Sequence, residues 1–175
     1  MKDDHNNTLI EADLDWDEYF MRKAYLATSK SKDPSSKVGA VLVTDGNDFC
    51  SGFNGFPRGI ADTRERLYNR ETKYKYIIHA EQNAIINAAR LGRPTLGAVM
   101  YTIGMPCTEC AKAIIQAGIK EIVLHDNAIV NFKHGKWAES CAFSNGMLEE
   151  AGVNVRLLCK KLGIQTLVNG KLEEV

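Results

Sequence analysis

His79-Ala80-Glu81-Gln82-Asn83-Ala84-Ile85-Ile86-Asn87-Ala88-Ala89, Ala98-Val99-Met100-Tyr101-Thr102, Pro106-Cys107-Thr108-Glu109-Cys110-Ala111-Lys112-Ala113-Ile114-Ile115-Gln116-Ala117 and Lys120-Glu121-Ile122-Val123-Leu124 follow one another, and their alternation decides the fold. The two longer runs carry alanine and isoleucine at helical spacing, and Gly92 and Gly118 stand where each helix should stop. Pro106 suits a helix start, where its missing N–H is not needed. The two shorter runs read as buried strands. Working outward, Lys136 to Ala151 reads as a helix closed by Gly152, and Val153 to Leu158 as a final strand. Towards the N-terminus, Asp15 to Ser29 reads as an amphipathic helix whose Tyr19, Phe20, Ala24, Tyr25 and Ala27 cover a sheet. Val38 to Val43 and Phe49 to Phe53, joined through Asp45-Gly46-Asn47, read as a hairpin. Strands alternating with helices predict an α/β fold, a three-layer α/β/α sandwich around a central mixed sheet of about five strands. The organisation expected is a flexible leader over residues 1–14, one domain over 15–158 and a C-terminal extension over 159–175.

The same stretch carries chemistry. His79, Cys107 and Cys110 offer one imidazole and two thiolates, a ligand set that leaves the fourth tetrahedral position of Zn2+ to water. Cysteines three positions apart on a helical turn project to one side. Zinc held this way brings the pKa of its water down to roughly 7. Glu81, two residues from His79 and outside the ligand set, is placed to shuttle protons. Glu109, between the cysteines, should point elsewhere if both sulfurs face the metal. Both motifs open helices, whose N-termini each carry about half a positive charge and favour anionic ligands. Each half alone is weak, since a lone Cys-x-x-Cys also makes a structural zinc knuckle or a redox pair. A structural zinc wants four protein ligands, however, and no second closely spaced Cys or His pair supplies the fourth. Cys50, Cys141 and Cys159 are isolated and read as small core residues. Together, His-x-Glu and Pro-Cys-x-x-Cys make the signature of zinc deaminases that act on nucleobases.

Composition bounds the rest. A chain of 175 residues, 45% hydrophobic and 25% charged, is ordinary for one globular domain. With 22 basic and 22 acidic side chains the formal charge is zero, which disfavours a polynucleotide partner. No apolar run approaches the roughly 20 residues that cross a bilayer, and Met1 to Glu11 lacks the apolar centre of a signal peptide. Five cysteines form no disulfide framework, and free thiolates suit a reducing cytoplasm. From Asn54 to Lys75 the pattern breaks into glycines, Pro57 and alternating charges, a connection long enough to be functional or partly helical.

Beyond the metal motif, Trp16-Asp17-Glu18-Tyr19-Phe20-Met21, Ser31-Lys32-Asp33-Pro34-Ser35-Ser36-Lys37-Val38-Gly39-Ala40, Gly52-Phe53-Asn54-Gly55, Thr72-Lys73-Tyr74-Lys75-Tyr76 and Ala111 to Lys120 are further points of likeness. Over about Trp16 to Leu158 the chain resembles the deoxycytidylate deaminases within the cytidine deaminase superfamily. The resemblance implies a cytidine deaminase-like fold and hydrolysis of dCMP to dUMP and ammonia, feeding thymidylate synthesis. It also implies a homo-oligomer, a hexamer in many relatives, and dCTP and dTTP as effectors, with Mg2+ accompanying the triphosphate. Asn54, in the Gly-aromatic-Asn-Gly element, is the position assigned to holding the nucleoside, and the Ala80 backbone would approach the base. Lys37 and Arg58 are the cations assigned to a 5′-phosphate, with simple surface roles the alternative. Trp137 and Phe132 are candidates to stack on the base or to anchor the last helix. Leu124-His125-Asp126-Asn127-Ala128 departs from the family by lacking a tyrosine near the base and sugar. His125 and His134 read as surface histidines, with substrate contact or a second metal as the alternative. Two other readings stay open: deamination of a different nucleoside, base or modified deoxycytidylate, and a nucleotide-binding regulator without turnover, against which the intact Glu81 argues.

Overall fold

The computed structural model describes residues 13–126 and 138–175. Helix α1 (Trp16–Thr28) starts where Asp15 accepts the Glu18 N–H at 2.7 Å, the side-chain cap that an isolated helix start needs. Strands β1 (Gly39–Thr44) and β2 (Asn47–Phe53) follow as an antiparallel hairpin. The long connection then folds into two short helices, α2 (Arg64–Tyr68) and α3 (Arg70–Tyr76), each capped by the polar side chain before it, Thr63 and Asn69. The remaining elements are α4 (Ala80–Arg90), β3 (Val99–Thr102), α5 (Thr108–Gln116), β4 (Glu121–His125), α6 (Ala138–Glu150), β5 (Asn154–Leu158), β6 (Gln165–Val168) and β7 (Lys171–Glu174).

Five strands form a mixed sheet in the order β2-β1-β3-β4-β5. β1 runs antiparallel to both β2 and β3, whereas β3, β4 and β5 run parallel through the crossovers α5 and α6. Alternate residues face opposite layers. Ala40, Leu42, Met100, Ile122 and Leu124 pack against Ala80, Ala84 and Ala88 of α4, Ala111 and Ile114 of α5 and Leu148 of α6. Val41, Val43, Tyr101 and Val123 pack against Phe20, Met21, Ala24 and Tyr25 of α1, with Leu162 and Val175 from the C-terminal segment. Helices thus cover both faces, as the alternation predicts.

Residues 159–175, for which the sequence reading names no element, fold as a second antiparallel pair, β6 with β7, beside the loop before β1. Two expectations are corrected. His125 is wholly buried rather than a surface histidine. Its Nε2 donates to the Lys160 carbonyl at 2.6 Å and its Nδ1 is hydrogen-bonded to the Tyr25 hydroxyl at 2.8 Å, joining β4, α1 and the C-terminal segment. Cys159 is exposed, whereas Cys50 is buried as a core residue should be. Phe132, His134 and Trp137 lie outside the described residues, as does the leader up to residue 12.

Candidate active site

Two helix starts make the site. His79 is the N-cap of α4 and Cys107 the N-cap of α5, and neither side chain caps its own helix. Both are turned to other use. The first N–H of α5 is satisfied from elsewhere: Thr108 donates to the Ser140 hydroxyl of α6 at 3.1 Å. α4 is stapled to the edge strand β2, with Asn83 and Asn87 donating to the carbonyls of Phe53 and Ser51 at 2.9 and 2.8 Å. Gly52 permits this approach, since a Cβ there would stand 2.2 Å from the Ala80 carbonyl oxygen. The chain leaving β3 then delivers Cys107 and Cys110 beside His79, so that one ligand atom from each of the three lies within 4.8 Å of the others.

Charge in this group is contested. The Cys107 thiol is held well below its ordinary range by a hydrogen bond from Cys110 and by the His79 imidazole beside it. Cys110 is pushed up, because it gives its proton to that bond and because it is buried. His79 is raised by its contact with Cys107, 3.3 Å from Nδ1 to Sγ. A divalent cation in their midst would let both sulfurs become thiolates. No fourth His, Cys, Asp or Glu among the described residues joins the group. An imidazole and two sulfurs, with a coordination position to spare, fit a catalytic zinc.

Glu81 stands outside the ligand group, 5% exposed, its carboxyl pushed above the usual range by burial. Glu109 is exposed and paired with Lys112. His79, Ala80, Glu81, Cys107 and Cys141 line a cavity of about 550 Å³, ample for a small ligand. Cys141, read from sequence as a core residue, is a half-buried wall residue here.

Asn54 also lines the cavity, but part of its amide is spent: Oδ1 accepts the Val38 N–H and Nδ2 donates to the Ser36 carbonyl, each at 2.8 Å. One acceptor and one donor site are left on it. The cations differ from those expected. Lys37 does not line the cavity, because its neighbours Ser36 and Val38 face it and strand-like alternation turns Lys37 away. Arg58 lies elsewhere and donates to Asn87 at 2.7 Å. Arg70 and Lys73 of α3 line the cavity instead. Lys73, 4% exposed, donates to Asp33 at 2.9 Å and to the Ser35 hydroxyl at 3.3 Å.

Residues 14–126 match the family model for the cytidine and deoxycytidylate deaminase zinc-binding region. The chain belongs to this family. A human deoxycytidylate deaminase is 47% identical over 116 residues, covering 63% of this chain and 64% of that one. The match thus spans less than two thirds of that relative's length. A Schizosaccharomyces pombe deoxycytidylate deaminase is 32% identical over 152 residues, 81% of this chain and 43% of its own. Among solved structures, the dCMP deaminase of cyanophage S-TIM5 in complex with dCMP and dUMP superposes with a TM-score of 0.64 at 26% identity, covering 81% of this chain and 95% of that one. As a member of the deaminase family, the chain has its His-x-Glu and Cys-x-x-Cys residues within the matched span, with His79, Glu81 and Cys107 on the cavity wall and Cys110 buried beside them.

Proposed function

We propose that this protein is a zinc-dependent hydrolase that converts dCMP to dUMP and ammonia. The observation that carries the reading is a three-ligand group that meets a cavity through His79 and Cys107, with a buried carboxyl outside that group, Glu81, on the same wall. His79, Cys107 and Cys110 would hold the ion, which when bound supplies the Lewis acidity that makes water a nucleophile near neutral pH. Glu81 moves the protons. It takes one from the incoming water and gives it to N3 of the cytosine ring, then takes the second from the hydroxyl now on C4 and passes it to the exocyclic amine. A C4–O bond forms, the C4–N bond breaks, and ammonia leaves. Burial raises the affinity of Glu81 for the proton it must carry between these atoms. The Ala80 backbone and the remaining donor and acceptor of Asn54 hold the nucleoside, and Asn54 also fixes the loop before β1.

The choice of a monophosphate is supported by Arg70 and Lys73 in the cavity wall and by the printed substrate of the S-TIM5 enzyme. Supply of a thymidylate precursor in the cytoplasm, dCTP and dTTP as effectors with Mg2+, and a homo-oligomer belong to the same reading. Their support is the family likeness. No helix of the described residues is long and apolar enough to cross a membrane. The test is ammonia release from cytosine, guanine and adenine presented free, as nucleosides and as monophosphates. dCMP should react fastest, chelation should stop the reaction, and zinc should restore it. Equal or faster turnover of another compound, or full turnover by metal-stripped protein, overturns the reading.

A further inference from the structure

The C-terminal hairpin lies beyond the residues that match the family, yet it reaches the cavity. Val168 pairs with Lys171 across Asn169-Gly170, whose φ values of +50° and +79° make the two-residue primed turn that Asn-Gly favours. This turn does not simply project into solvent. Asn169 donates its N–H to the Ser36 hydroxyl at 2.9 Å, Gly170 donates to the Ser35 carbonyl at 2.6 Å, and Lys37 donates to the Leu167 carbonyl at 2.9 Å. The hairpin is anchored behind by Leu162, Thr166, Val168 and Val175, all buried. The Val175 carbonyl accepts from Leu162 and Ile164. Asn169 is therefore held from both sides, and it lines the cavity with Ser35, Ser36, Arg70 and Lys73.

We propose that the β6–β7 hairpin forms the part of the pocket that reads the 5′-phosphate, with the Asn169 amide donating to a phosphate oxygen beside Arg70 and Lys73. The inference rests on the reading of the substrate as a nucleoside monophosphate. Lys73 is already partly balanced by Asp33, so an incoming phosphate dianion needs neutral donors as well as Arg70. The turn supplies one on a rigid arm. An asparagine is suited to the place twice over, since it tolerates positive φ and carries an amide donor. Asn169 thereby determines specificity, favouring dCMP over deoxycytidine.

The experiment is steady-state kinetics of the zinc-loaded full chain on dCMP and on deoxycytidine, for the wild type, Asn169→Gly and Asn169→Asp. Glycine keeps the turn and removes the donor. The preference for dCMP, as the ratio of the two kcat/KM values, should fall about tenfold, with the loss in KM for dCMP. Aspartate keeps the turn and sets a negative charge against the phosphate, so the ratio should fall further. Should the glycine variant prove unstable in a thermal melt, the aspartate variant decides alone. An unchanged ratio, or equal losses on both substrates, overturns the assignment of the hairpin while leaving the deaminase reading standing. Failure of the wild type to deaminate dCMP removes the reading itself.

Discussion

Glu81 and its neighbours show what one residue can be asked to do. It sits one position inside the first turn of α4, buried beside the sulfurs, yet outside the three-ligand group. Replacing it by glutamine preserves volume and removes the carried proton. Glu81→Gln should lower kcat by about a thousandfold, within the usual range for a positioned acid–base group. Elemental analysis should still find one zinc per chain, because no ligand has changed. Loss of the metal together with the activity would mean that Glu81 holds the ion rather than the proton. At this scale the metal group was legible in sequence because its geometry is local: each half needs only a few residues at the start of one helix. Lys73 and Arg70 were not, since which cation faces the cavity depends on how α3 packs against the loop at Asp33 and Ser35. The available signal is Thr72-Lys73-Tyr74, which puts a lysine within a helix just before the metal histidine.

At the scale of elements, the site depends on α4 lying hard against β2. Two glycines allow helices to touch the hairpin, and they do so on opposite faces of the sheet. Gly52 meets α4, where a Cβ would stand 2.4 Å from the Ala84 nitrogen, and Gly39 meets α1, where it would stand 1.9 Å from the Ala24 carbonyl oxygen. Backbone atoms cannot swing aside as a side chain can, so either alanine must push a helix away. Gly52→Ala and Gly39→Ala should each destabilise the fold by about 1–3 kcal/mol, read from urea midpoints. Their effects on the metal should diverge. Displacing α4 moves His79 away from Cys107 and Cys110, so Gly52→Ala should weaken zinc about tenfold or more in a chelator competition, whereas Gly39→Ala should not. Equal zinc affinity in both variants would show that α4 is not positioned through β2. The helices themselves were readable from spacing and stops, and Gly92 and Gly118 do end them with φ of +64° and +68°. The β6–β7 hairpin is harder to read from sequence: Asn169-Gly170 between two short runs is a strong local turn signal, but those runs alternate too weakly to declare a buried face.

Across the whole molecule, three layers must be held in register, and the covering helix α1 is tied to three strands by one charged cluster. Asp17 accepts from the Tyr101 hydroxyl of β3 at 2.7 Å and from Arg156 of β5 at 2.9 Å, and Arg156 also reaches Glu121 of β4 at 3.2 Å. None of this was legible in the chain, where Asp17 and Arg156 stand 139 positions apart. Sequence patterning specifies which faces are apolar, whereas pairing across layers appears only once the sheet order is set. The cluster has a consequence for acid stability. Arg156, with the Tyr101 hydroxyl assisting, holds the Asp17 carboxyl below its ordinary value of 3.8, so the folded chain binds this proton less readily than the unfolded chain does. The resulting stabilisation is complete above the unfolded value and is lost as the pH falls through the folded one. Asp17 and Arg156 are partly exposed and screened, so the effect is modest. Asp17→Asn should melt a few degrees below the wild type at pH 7, and the gap should narrow as the pH falls below 3.8, because the wild-type carboxyl is then increasingly protonated as well. A gap that stays undiminished over that whole range would show that the asparagine harms packing rather than charge, and that α1 is held to the sheet by its apolar face.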